Sequence, residues 1–139
     1  MSVSYGKGDR KKATKLHSIL IRKFTGYCEN CQLEDPKKLT CAHIVGRKFV
    51  WTVTDLRNAF CLCYSCHRYF TDWPRAFSHF ITDKLQPGLY EELEAKALDG
   101  RGQKIDWSKR LSFLQMLEQR LESGEFTLQQ AQEYEHIHS

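Results

Sequence analysis

The chain has 139 residues, a length that suits one compact domain. Charged residues make up 27% of it and hydrophobic residues 41%, so the apolar core is modest and we expect an additional source of stability. Residues 1–50 carry 11 Lys and Arg against 4 Asp and Glu, a balance of +7, whereas residues 51–139 carry 10 against 13, a balance of −3. The basic half indicates either a polyanionic partner on one face or a solvated basic segment.

Targeting signals are not visible in the sequence. Residues 1–10 contain no apolar run, which argues against a secretory leader, and no stretch reaches the length of a membrane span. We therefore expect a soluble, cytoplasmic protein with no membrane partner. In a reducing compartment, six cysteines favour metal binding over disulfides.

The first predicted element is a helix over residues 9–24. Its apolar residues recur at helical spacing, Lys and Arg fill the other face, and Gly26 ends it. We assign residues 1–26 as a basic N-terminal helical arm. Docking on the core is the favoured role of this helix, and contact with phosphates is a second one.

Residues 27–82 are predicted to form the core of an α+β fold. Residues 39–45 and 58–63 are typical of two short strands, a helix is expected from Cys66, and another follows Pro74. Residues 83–139 predict a C-terminal helical region packed on this core. It contains a helix over 89–98, a linker over 99–105, a helix with an apolar stripe from Trp107 to Leu121, and a last helix that begins at a capping box at Thr127.

Two paired-cysteine turns predict a metal site. Cys28-x-x-Cys31 and Cys63-x-x-Cys66 are separated by 31 residues, and each pair can present two thiolates to one ion. Together they complete a tetrahedral, closed zinc site, which is structural because it keeps no position for water. A redox pair would require a thioredoxin-like strand and helix that the sequence lacks. The remaining cysteines, Cys41 and Cys61, are expected to be buried small hydrophobic residues.

Three polar residues, His43, Asn58 and His67, lie between and beside the two cysteine pairs. Cys-x-x-Cys, then His-Ile, then Asn, then Cys-x-x-Cys-His resembles the pattern of zinc-containing HNH nucleases, over about Tyr27 to Asp72. Further details are similar to the phage and bacterial branch of that family: His43-Ile44-Val45-Gly46-Arg47, Asp55-Leu56-Arg57-Asn58, and Pro74-x-x-Phe77 downstream.

The resemblance implies a ββα-metal core and a DNA endonuclease that uses a divalent metal ion. A β-hairpin would present His43 as the general base, a following helix would present His67 as the ligand of a catalytic Mg²⁺ or Mn²⁺, and the zinc would tie the two together. In such nucleases a backbone carbonyl near the Asn position fixes the ring of the base, and the Asn side chain braces the loops, so Asn58 would orient His43. Double-stranded DNA would be nicked or cleaved.

One position departs from the family. The acidic residue, or other ligand, that usually precedes the base is replaced by Ala42, and Asp55, Asp72 or His79 are conceivable substitutes. The departure keeps two alternatives open: a zinc-stabilised DNA-binding module with weak or no catalysis, and a structural zinc protein. The residues expected to contact DNA are Arg47, as a phosphate clamp, and Lys48, Arg57 and Arg68. The sequence does not determine the oligomeric state, and a monomer is favoured.

Overall fold

The structure, a computed structural model, describes residues 7–138. Residues 1–6 of the predicted arm therefore lie outside the described part of the chain. The described part is a mixed fold of helices around one small sheet. None of the described helices combines the length and apolar character needed to cross a membrane. In chain order the elements are α1 (Lys7–Thr25), a 3₁₀ turn (Pro36–Lys38), β1 (Leu39–His43), β2 (Ala59–Cys63), α2 (Tyr64–Asp72), α3 (Pro74–Lys84), α4 (Leu89–Asp99), α5 (Trp107–Glu122) and α6 (Leu128–His138).

The two strands form an antiparallel pair that leads directly into α2. Leu39 lies opposite Cys63 and His43 lies opposite Ala59. Both strands are shorter than the sequence predicts. Beyond β1 the backbone N–H of Ile44 still donates to the carbonyl of Asn58 at 3.2 Å, but the N–H of Val45 donates to the side-chain oxygen of Asn58 at 2.7 Å. The end of β1, where His43 lies, therefore opens into the loop 44–58.

Helix α1 is part of the core. It packs against α5 and both strands, with Ala13, His17, Leu20 and Ile21 buried on one face. The opposite face is exposed and basic, and contains Lys11, Lys12, Lys15 and Lys23. The helix thus docks as expected, and it brings His17 against the sheet.

The loop 44–58 is clamped by the C-terminal helices. Arg110 of α5 donates to the carbonyl of Thr54 at 2.6 Å and pairs with the buried Glu135 of α6. Glu135 in turn accepts the backbone N–H of Leu56 at 3.2 Å, and Gln132 donates to the Leu56 carbonyl at 3.0 Å. Residues 54–56 are therefore held by side chains that lie more than 50 positions later in the sequence.

Candidate functional site

The four cysteines of the predicted zinc site converge. Their sulfur atoms all lie within 4.8 Å of one another, and the Sγ atoms of Cys31 and Cys63 are 3.7 Å apart. In each pair the second amide points at the first sulfur, at 3.5 Å for Cys31 to Cys28 and for Cys66 to Cys63. This four-cysteine cluster is compatible with a structural zinc site, as predicted from the spacing.

The first cysteine turn is fixed to the second strand. Gln32 adopts a positive φ of 70°, which lets the chain reverse after Cys31. Glu29 then exchanges two hydrogen bonds with the backbone of Cys61, each 2.8 Å long. Because Cys61 precedes Cys63 by two residues on β2, these bonds help align the first cysteine pair with the second.

His43 lies at the end of β1 and is partly exposed. Its Nε2 lies 2.9 Å from the carbonyl oxygen of Val53, and since a carbonyl only accepts, Nε2 carries the proton. A neutral ring then has its lone pair on Nδ1. Burial lowers the pKa of His43, and the charges of Arg47 and His67 lower it further. The hydrogen bond to Val53 raises this pKa, but the lowering effects are larger. The ring is thus neutral at neutral pH and presents one unprotonated nitrogen.

Asn58 acts on the backbone rather than on the His43 ring. Fully buried, it donates from Nδ2 to the carbonyls of Val45 at 3.0 Å and Thr52 at 2.9 Å, while its Oδ1 accepts from Val45. These bonds brace the loop on both sides of its turn. The carbonyl that holds His43 belongs to Val53, the residue next to Thr52, so Asn58 positions the His43 ring through the backbone.

His67, on α2, is held by β1. Its Nδ1 lies 2.8 Å from the hydroxyl of Thr40, and that hydroxyl donates its only proton to the carbonyl of Leu62 at 2.7 Å. The hydroxyl must therefore accept from His67, so Nδ1 carries the proton and Nε2 has the lone pair. Burial lowers the pKa of His67, and the charge of Arg47 lowers it further.

His43 and His67 are affected by the same nearby charge. His43 ends β1, His67 is bonded to Thr40 of the same strand, and the charge of the exposed Arg47 acts on both rings. Lys48 is also exposed, and Arg68 is exposed on α2 with its guanidinium 3.8 Å from Asp72. The structure therefore places His43, His67 and Arg47 close enough for their charges to interact, with both rings partly exposed.

Arg57 has a structural role here. Its side chain is only 9% exposed and pairs with the buried carboxylate of Asp55 at 2.8 Å. Lys96 of α4 approaches the same carboxylate at 2.7 Å. Burial raises the pKa of Asp55. The hydrogen bond from Arg57 and the charge of Lys96 outweigh this effect and hold the pKa below its usual range. The Arg57 side chain thus forms a buried ion pair instead of the DNA contact that the sequence predicted.

Asp55→Asn is expected to lower the free energy of unfolding by about 3 kcal/mol near neutral pH, because two cations lose their buried counter-charge. Since the pKa of Asp55 is lower in the folded state, its stabilisation is present above about pH 4 and is lost as the pH falls further. Urea unfolding of the wild type and the variant should therefore converge in acid. Asp83→Asn, at an exposed position of α3, is the control. Equal stability of wild type and Asp55→Asn at neutral pH would contradict this role.

The position at which the resemblance places a catalytic metal ion would have few protein ligands. Ala42 is buried and offers no donor atom, Asp55 is engaged by Arg57 and Lys96, and Asp72 pairs with Arg68. Among the residues that the structure describes, His67 joins no group of three candidate metal ligands. A hydrated ion such as Mg²⁺, which retains several waters, fits a single imidazole better than an ion that requires a protein cage.

Sequence reasoning missed two side chains around the histidines, Thr40 and His17. The resemblance implied that a backbone carbonyl fixes the His43 ring, and the structure identifies this carbonyl as that of Val53. His17 is fully buried, and its ring stacks on that of His43 with centroids 5.3 Å apart. Burial lowers its pKa to about 3. The sequence did contain a signal that His17 is buried: it lies four residues after Ala13 and three before Leu20, on the apolar face of a basic helix.

Comparisons of this chain with protein-family models, with curated proteins and with solved structures found no match. The function must therefore be inferred from the residues themselves. The four-cysteine cluster includes Cys63 and Cys66, where β2 passes into α2. Of the two histidines with fixed tautomers, His67 directly follows Cys66, whereas His43 lies at the other end of the strand pair, opposite Ala59.

Proposed function

We propose that this chain is a metal-dependent DNA endonuclease of the HNH type, with His43 as general base and His67 as ligand of a divalent ion. One observation carries the proposal: each ring has one nitrogen bonded to a protein acceptor and the other unprotonated. A general base and a metal ligand both require such a nitrogen. Strand β1, strand β2 and helix α2 would then form a ββα-metal core.

His43 would accept a proton at Nδ1 from the water that attacks the phosphorus atom. The bond from Nε2 to Val53 keeps the ring in place and favours the imidazolium that forms. Because burial and neighbouring charges lower its pKa, His43 is ready to accept a proton at neutral pH and returns it readily to solvent. Asn58 preserves this geometry by fixing the loop that carries Val53.

His67 would hold Mg²⁺ or Mn²⁺ through Nε2, with phosphate oxygens and water in the remaining positions. When bound, the ion neutralises charge on the phosphate and on the departing 3′ oxygen. Arg47, exposed beside both rings, can grip two phosphate oxygens with its planar guanidinium. The four-cysteine cluster fixes the start of α2 to the first cysteine turn and so keeps His67 in register with β1.

The proposed substrate is double-stranded DNA. Exposed basic residues lie beside the histidines and along α1, which suits a phosphate backbone. Each chain contains one candidate base and one candidate metal ligand at this surface. A single binding event would then break one strand, so we expect nicks, with double-strand breaks only after a second event.

The test of the function is an incubation of supercoiled plasmid with the zinc-loaded chain. With Mg²⁺ or Mn²⁺, we expect nicked circles whose ends are 5′-phosphate and 3′-hydroxyl. With zinc retained but Mg²⁺ and Mn²⁺ left out, the plasmid should stay supercoiled. Plasmid that stays intact with either ion would overturn the proposal.

A second candidate, a DNA-binding module without catalysis, is favoured by Ala42 alone, because that residue removes a usual metal ligand. It predicts that the chain retains labelled duplex in a mobility-shift experiment and leaves plasmid intact with every divalent ion. Nicking in the plasmid experiment excludes it. Absence of both nicking and retention would leave a structural zinc protein.

Arg47→Ala is expected to weaken binding to duplex DNA and to reduce the slope of log affinity against log salt by about 1, since one phosphate contact is lost. Binding should be followed by fluorescence anisotropy at several salt concentrations in the absence of divalent ions. Arg101→Ala, at an exposed position between α4 and α5, should leave the slope unchanged. An unchanged slope for Arg47→Ala would remove this residue from the DNA interface.

Thr40→Val is expected to raise the Mg²⁺ concentration needed for half-maximal nicking by about 10-fold or more, because His67 loses the acceptor that fixes its tautomer. The substitution nearly preserves side-chain shape. Thr82→Val is the control, since this threonine bonds only within α3. The same Mg²⁺ dependence in wild type and Thr40→Val would contradict the role of His67 as ligand.

A further inference from the structure

Behind the proposed base lies a second group of metal-binding side chains. His17 of α1, Cys41 of β1 and His43 each offer a ligand atom, and these atoms lie within 4.8 Å of one another. The Sγ of Cys41 is 3.9 Å from Nδ1 of His17, and the His17 and His43 rings stack at an interplanar angle of 30°. The four-cysteine cluster shares no residue with this group.

Backbone carbonyls orient both rings of this group. Nε2 of His17 donates to the carbonyl of Asp55 at 2.9 Å, as Nε2 of His43 donates to Val53. In each neutral ring the lone pair is then on Nδ1. Metal-bound histidines in proteins have the same arrangement, with the distal N–H on a carbonyl or carboxylate. The group thus offers two imidazole nitrogens and one thiol. The N–H group of each imidazole is already hydrogen-bonded to a backbone carbonyl.

We infer that His17, Cys41 and His43 form a second metal site, for a borderline-soft divalent ion of the zinc class, and that an ion held there blocks the base. Two nitrogens and one sulfur suit Zn²⁺ or Co²⁺, whereas Mg²⁺ prefers oxygen. On binding, the thiol of Cys41 releases its proton to solvent and the sulfur becomes a thiolate ligand. A solvent molecule would complete a tetrahedral shell, since the side chains supply three ligands.

The burial of the three residues gives the ion one route of entry. His17 is fully buried and Cys41 is 5% exposed, whereas His43 is partly exposed at the end of β1. An ion therefore reaches the group past His43, from the side that we assign to DNA. The effect of the bound ion on cleavage rests on the proposed function, because the ion takes the lone pair with which His43 would accept a proton from water.

The binding test is a count of bound zinc. Wild type, Cys41→Ala and Cys61→Ala are dialysed to equilibrium against buffered zinc, and bound zinc is measured by elemental analysis. Cys61 is the matched control, because it lies directly opposite Cys41 on β2 and is buried but outside the group. We expect two ions per chain for wild type and Cys61→Ala, and one for Cys41→Ala. One ion in all three would overturn the site.

His17→Gln provides a second variant, should Cys41→Ala fold poorly, and it should also bind one zinc ion. Co²⁺ gives an independent signal, because a thiolate bound to Co²⁺ adds charge-transfer absorption. A second Co²⁺ equivalent should add such absorption in wild type and not in Cys41→Ala. Equal spectra for the two proteins at the second equivalent would exclude Cys41 as a ligand.

The effect on the base is tested by adding zinc to nicking supported by Mg²⁺. Each protein is compared with itself without added zinc. Half-inhibition of Cys41→Ala should require zinc at least about 10-fold more concentrated than for wild type, because even loss of an outer partner weakens metal binding by about that factor. Two bound ions without inhibition would show that the base stays free. If no protein nicks DNA, the proposed function fails and the zinc counts still decide the site.

Discussion

His43→Ala is expected to slow nicking of supercoiled plasmid by at least about 100-fold, because a positioned general base contributes a rate factor of about 10² to 10⁴. The fold should survive, since His43 lies at the partly exposed end of β1. The measurement is the rate of nicking under single-turnover conditions with saturating Mg²⁺. Binding of duplex DNA should change little, which separates loss of the base from loss of the surface.

His138→Ala is the control for that experiment. This histidine is exposed at the end of α6 and outside the histidine pair, so its removal should leave the nicking rate within about 2-fold, as for an ordinary surface substitution. A His43→Ala protein that nicks plasmid at the wild-type rate would contradict the assignment of the base, whatever the control does.

Removal of zinc is expected to unfold the region from the first cysteine turn through α2. Zinc binding in small four-ligand sites contributes about 10–16 kcal/mol, which exceeds the net stability of many whole domains, at about 5–15 kcal/mol. Here the cluster joins the start of α2 to residues 28–31. Far-ultraviolet circular dichroism and proton NMR before and after chelation measure the loss, and added zinc should restore both signals.

Cys63→Ser and Cys61→Ser form a matched pair for this prediction. Both cysteines are buried on β2 two residues apart, but only Cys63 belongs to the four-cysteine cluster. Cys63→Ser should purify without its structural zinc and lose helical signal, whereas Cys61→Ser should keep both. A metal-free wild type that melts at the same temperature as the zinc-loaded protein would contradict a folding role for the cluster.

Local patterns in the sequence predicted the features that depend on local spacing. Paired cysteines predicted the convergence of four sulfur atoms, which their positions confirm. The helical spacing of apolar residues predicted α1, which extends one or two residues beyond the expected range at each end. The ends of the strands were predicted less accurately, because the Asn58 side chain accepts the N–H of Val45 just beyond β1, and that bond depends on a folded loop.

The contacts that set the chemistry could not be predicted in the same way. The Thr40–His67 bond depends on how α2 packs on β1, and the His17–His43 stack depends on how α1 docks on the sheet. Both join residues far apart in sequence, and no local pattern indicates such a pairing. Arg57 is a further example: the sequence predicted that it contacts DNA, but its side chain lies in a buried ion-pair site with Asp55 that also includes Lys96 from α4.

The central claim is that His43 and a divalent ion on His67 act on the same phosphodiester. A double-mutant comparison of nicking rates tests it most directly, using single-turnover cleavage of end-labelled duplex by wild type, His43→Ala, His67→Ala and the double variant. Groups that act as a unit are strongly non-additive, so the double variant should cleave about as slowly as the slower single variant. Losses that multiply in the double variant, or a His67→Ala protein with the wild-type dependence on Mg²⁺, would contradict the account.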